Sequence, residues 1–144
     1  MPPAGTPGPI WRIPFSHHPT YCAGPHHPNT APMVDELVPL FRRAGVRAVF
    51  AGHEHNFQLS RADGIHYFLS GAGGKLREEA PHGFAAAHTV AWTAQAHLLH
   101  VGIDGDTMTV TPYAGLDADG TPHPMTAFTP QNRIVEVPFT VTAG

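Results

Sequence analysis

His53 and His55 stand two residues apart in Gly52-His53-Glu54-His55-Asn56, directly after the apolar run 46–51. On extended backbone, side chains at i and i+2 face the same way, whereas on a helix they would lie about 200° apart. The pair therefore converges on one metal ion only where the chain leaving the run is extended, as the flanking pattern predicts. Gly52 lets the backbone turn tightly beside it. A third imidazole, His17, follows a short, mostly apolar segment, 10–15, that reads as a buried strand with Pro14 at its end. Three neutral imidazoles and one open position make a minimal zinc-type site.

For His17 to meet the other two, both strands must leave their sheet at the same edge, and the chain between them supplies the means. Met33, Leu37, Leu40, Phe41 and Ala44 recur at spacings of three and four, and Gly45 stands where a helix C-cap belongs. Pro39 removes the hydrogen bond to the Asp35 carbonyl, which predicts a kink. Strand 10–15, this helix and strand 46–51 form a right-handed parallel crossover, so the loops after residues 15 and 51 emerge together in the crevice where α/β sheets bind ligands. The long loop 20–32, from which its prolines exclude helix, brings His26 and His27 beside that crevice, to contact substrate phosphate or simply to be solvated.

Beyond residue 56 the pattern changes to short strand-like runs at 57–60, 65–70, 96–103, 108–113 and 134–141. Asp63-Gly64 and Asp104-Gly105-Asp106 read as hairpin turns between them. The fold class is thus α/β (α+β), one βαβ crossover followed by mainly antiparallel strands. Gly71-Ala72-Gly73-Gly74 lacks the Lys-Ser/Thr of a phosphate loop and reads as a flexible strand exit. His66, His97 and His100 lie in strand patterns, facing solvent or packed; His82, His88 and His123 carry no motif. Cys22, the sole cysteine, is read as a free thiol, which excludes a disulfide within the chain.

The 144 residues include 12 His, and charging all of them moves the formal charge from −3 to +9 (−3 + 12). That excess points to metal or pH. Lys75 is the only lysine, so no basic stripe exists for nucleic acid, and no apolar run approaches a membrane span. Residues 1–9 hold four Pro and two Gly and read as a flexible leader without the marks of a secretory signal, leaving residues 10–144 as one domain, or part of one.

Phe15-Ser16-His17-His18-Pro19-Thr20-Tyr21, the helix with Leu37-Val38-Pro39-Leu40-Phe41, the run from Gly45 through Gly52-His53-Glu54-His55-Asn56-Phe57-Gln58, and Leu69-Ser70-Gly71-Ala72-Gly73-Gly74 resemble the calcineurin-like metallophosphoesterases. The likeness is to their purple and tartrate-resistant acid phosphatase branch. It covers residues 10–74 specifically and the later strands more weakly. It implies the C-terminal half of a sandwich of two mixed sheets with a flanking helix, and hydrolysis of phosphate esters by metal-activated water. By this resemblance His17 and His53 share one metal (Zn, Fe or Mn), His55 binds the other of a pair, and His18 is not a ligand. The family's Asp-x-His, Gly-Asp-x-x-Asp/Tyr and Gly-Asn-His-Asp/Glu segments do not occur in this sequence, so one ion per chain is expected, or two if carboxylates come from elsewhere. Two alternatives are a non-catalytic His-rich metal-binding module and an inactive fragment that needs its N-terminal half. Half a sandwich exposes sheet faces and edges, so self-association or a complementary N-terminal half is expected to cover them. Complete family members are often exported, while nothing in these residues directs export.

Overall fold

A computed structural model describes residues 8–144, so the expected leader lies outside the described residues as far as Pro7. The chain runs through β1 (Phe15–Ser16), a π-type helical turn (Met33–Leu37), α1 (Val38–Arg43), β2 (Ala48–Ala51), β3 (Phe57–Ala62) and β4 (Ile65–Ser70). It continues through β5 (Thr89–Thr93), β6 (Leu98–Asp104), β7 (Thr107–Leu116), β8 (Pro122–Pro124), β9 (Ala127–Phe128), β10 (Ile134–Val135) and β11 (Phe139–Thr142). One sheet has the order β1-β2-β4-β3-β5-β9-β10; the other has the order β11-β7-β6, with β8 also paired to β7.

The crossover is present. β1 pairs parallel to β2, Phe15 opposite Phe50, and β2 pairs parallel to β4, while the remaining pairings are antiparallel. The first strand is shorter than expected: only Phe15 and Ser16 join the ladder, preceded by a bond from the Phe50 N–H to the Pro14 carbonyl. Pro14 has no N–H, so the ladder cannot extend through it in both directions.

The helix departs from a simple kink. The Val38 N–H reaches back five residues to the Met33 carbonyl, forming a widened turn directly ahead of Pro39. Pro39 then sits in the first turn of α1, where its missing N–H costs no bond. Gly45 (φ +69) ends the helix as expected. Its N–H bonds to the Arg42 carbonyl and that of Val46 to the Phe41 carbonyl, a Schellman closure.

Alternation in β2 and β4 divides the interior. Ala48, Phe50 and Phe68 face the second sheet with Phe57, Leu59, Met108, Val110, Phe139 and Val141; Val49, Ile65 and Tyr67 face the helix with Val38 and Val46. The molecule is therefore helix on sheet on sheet. Asp63 (φ 53) and Gly64 (φ 74) make the β3–β4 turn, and Gly105 (φ 57) the β6–β7 turn, as their sequences predict. The single strand expected over 134–141 is instead β10 and β11, which belong to different sheets. Residues 136–138 carry the chain across. β5, β8 and β9 lie outside the runs expected from sequence.

Both sheets stop at an open edge on the same side of the molecule. β1 ends the first and β6 the second, and Phe15, Phe50, Leu99 and Val101 line one shallow groove between them. Phe15 is 76% exposed although its ring stacks on Phe50.

Candidate metal centre

β2 ends at Ala51, and residues 53–56 bend sharply before β3. The extended path expected for His53 and His55 is therefore not present. His53 itself takes φ +72, while Gly52 is not among the residues of positive φ. A left-handed conformation at a non-glycine residue persists only where its surroundings enforce it. Gly71 makes room for the turn that follows His53. Its N–H donates to the Asn56 carbonyl, and a Cβ there would overlap the Glu54 carbonyl oxygen and lie 2.8 Å from its carbon. The Gly71 exit is thus a close backbone approach rather than a flexible tract.

His17 and His53 meet: Nε2 of His17 and Nδ1 of His53 are 3.0 Å apart. His18 and His27 join them, with ring centroids 4.3 and 3.9 Å from that of His53. His55 is not stacked on these rings, although His27 lies near enough to help lower its pKa. Its Nδ1 is buried without a hydrogen-bond partner, and its carbonyl accepts from the Arg77 N–H. His26 turns outward, 3.5 Å from Glu79, where both side chains are exposed.

Sequence reasoning missed Glu54, the residue between the two motif histidines. It is fully buried. Asn56 and Gln58 continue its parity, opposite to Phe57 and Leu59, and that polar alternation is the signal in the sequence. Gln58 accepts from the Ala23 N–H and donates to the Gly24 carbonyl, and Asn56 donates to the same carbonyl. The three residues satisfy the backbone of the loop that carries His26 and His27.

Electrostatics favour neutral rings at the turn. Burial, followed by the neighbouring imidazoles of His27, His18 and His17, holds His53 below the ordinary histidine value. Burial followed by Arg77 and Lys75 does the same to His55. For Glu54, burial alone would raise the carboxyl, but hydrogen bonds from Arg77 and from the amides of His55, His26 and His27 hold it below its usual range.

Neutral imidazoles are the form that binds metal. Two nitrogens 3.0 Å apart match neighbouring ligands on one ion with bonds of about 2.0–2.1 Å; without an ion the same spacing is a hydrogen bond. The pair fits two positions of a metal. Among the described residues, no group of three or more His, Cys, Asp or Glu side chains is gathered closely enough to hold one. His17, His53 and His55 therefore do not form a single three-imidazole cluster. Asp104 and Asp106 flank the β6–β7 turn as expected, and burial pushes the Cys22 thiol up to about 11, consistent with an inert thiol. His97 is packed inside, with Nε2 at 2.9 Å from the Ser70 hydroxyl.

No protein-family model matches the chain. Over 110 residues, 72% of its length, the chain is 33% identical to the tartrate-resistant acid phosphatase type 5 of Oryctolagus cuniculus and covers 30% of that protein. Over 67 residues it is 37% identical to purple acid phosphatase 17 of Arabidopsis thaliana, covering 20% of it. The chain thus spans less than a third of the length of either relative. Its fold superposes on GAP50, the anchor in the inner membrane complex of Plasmodium, with a TM-score of 0.68 over 88% of this chain and 38% of that one, at 13% identity.

Proposed function

We propose, for a chain that belongs to the calcineurin-like metallophosphoesterase superfamily and holds part of its fold, that the sheet edge carrying His17 and His53 binds metal and hydrolyses phosphate esters. The observation that carries the reading is the 3.0 Å approach of the two ring nitrogens across 36 residues of sequence. His17 and His53 would hold one ion of Zn, Fe or Mn, and the unpartnered Nδ1 of His55 would serve a second position. When bound, such an ion polarises a phosphoryl oxygen and lowers the pKa of water. The chain's own residues arrange what surrounds it. His53 stays neutral, His27 packs on its ring, and His26, which turns outward beside Glu79, would have to leave that carboxylate to meet the phosphate of an ester. Glu54 is fully engaged, and Asp104 and Asp106 flank a hairpin turn. Carboxylates for a second ion would come from elsewhere, such as a complementary N-terminal half or a second copy seated on the open edges of β1 and β6. A non-catalytic metal-binding module is the second reading; it asks only for the approach of His17 and His53 and for no catalytic set around it.

Metal content per chain, measured with hydrolysis of a phosphomonoester and a phosphodiester before and after chelation, separates the two. Catalysis that saturates at one metal per chain and is lost in His17→Ala supports the phosphoesterase. Binding without turnover supports the module. A rate that survives both chelation and His17→Ala overturns the metal reading.

A further inference from the structure

We propose that Glu54 is a positioning residue, a clasp whose carboxylate fastens the loop bearing His26 and His27 to the turn bearing His53 and His55. Its use in catalysis rests on the phosphoesterase reading; its geometry does not. One carboxylate oxygen, Oε2, accepts from the backbone N–H groups of His26 (3.1 Å) and His27 (3.0 Å). The other, Oε1, accepts from the His55 N–H (3.1 Å) and from Nε of Arg77 (2.9 Å). Each oxygen thus takes two donors, and the acceptor capacity of the carboxylate is used up. Glu54 is therefore no metal ligand, despite its place between two candidate ones.

The clasp acts through backbone. Fixing the His27 amide sets its ring on that of His53, and His53 in turn meets His17. The spacing of the imidazoles is thereby governed by a carboxylate that touches neither metal nor substrate. Arg77 has a largely covered side chain and supplies the matching charge, so the pair is buried together.

Amide hydrogen exchange on the full, metal-free chain tests the clasp, using Glu54→Gln and the double variant Glu54→Gln/Arg77→Gln. The double variant leaves no buried charge unpaired and supplies the readout if the single one does not fold. Exchange at His26 and His27 is expected to rise about tenfold in either variant while amides of the β3–β4 ladder keep their protection. Cobalt(II) titration should show affinity lowered about 10–100-fold, as when outer partners of metal ligands are removed. Unchanged exchange at His26 and His27, or an equal rise across the whole ladder, overturns the clasp. If the unaltered chain binds no cobalt, the phosphoesterase reading falls and exchange alone decides this one.

Discussion

His53 combines two demands at one position, a nitrogen aimed at His17 and a backbone at φ +72. Asparagine tolerates the left-handed region and alanine does not, so His53→Asn removes the ring with less disturbance of the turn. We expect His53→Asn to lose most metal affinity, by calorimetric titration, with little change in thermal midpoint. A large fall in midpoint would assign His53 to folding rather than binding. His66 governs a separate property. Burial first, then Arg61, lowers it to about 4, with the Arg47 carbonyl opposing the shift. It is neutral in the fold and protonated in the unfolded chain between about pH 6.5 and 4, so stability falls as pH drops through that window. The loss is on the order of 2–3 kcal/mol. Urea unfolding at pH 7 and pH 4.5 should show it, and His66→Gln should reduce the difference. At this scale the sequence disclosed His17 and His53 because their types and topology coincide. It did not disclose Glu54, two of whose partners lie in a loop 27 and 28 residues back and a third, Arg77, 23 residues ahead.

The elements were legible where periodicity and turn chemistry agreed. The β3–β4 hairpin, the Gly45 cap and the crossover all follow from local patterns. The π-type turn, the split of 134–141 and the pairing of β5 with β3 depend on distant partners that periodicity does not encode. Two glycines show how different a shared residue type can be. At Gly45 a Cβ would meet nothing within 4 Å, so Gly45→Ala costs only the left-handed conformation, about 1–2 kcal/mol. At Gly71 the same methyl would collide with the backbone of Glu54. Gly71→Ala should cost well over ~3 kcal/mol or displace the histidine turn. Chemical denaturation of the two variants side by side checks this, and equal losses would show that the Gly71 approach is soft.

At the level of the whole molecule, the open strands β1 and β6 present unpaired backbone beside Phe15 and Val101, which are 76% and 38% exposed. Such edges pair readily with another chain, so the protein should associate in dilute buffer, and Val101→Lys should weaken that association. Light scattering measures both; a monodisperse monomer would show that the edges are protected as they stand. The order of the strands along the chain carries a further consequence. β1 through β5, and with them His17, His18, His27 and His53, come from residues 15–93, whereas Phe139 and Val141, which pack with Phe57 and Phe68, are the last of the described core residues along the chain. During synthesis the nascent chain can lay down the histidine edge while the sandwich beneath it still lacks its lid of aromatic and aliphatic side chains. Until β11 is made, the sheet that carries these histidines is packed against its helix but only partly covered on its other face.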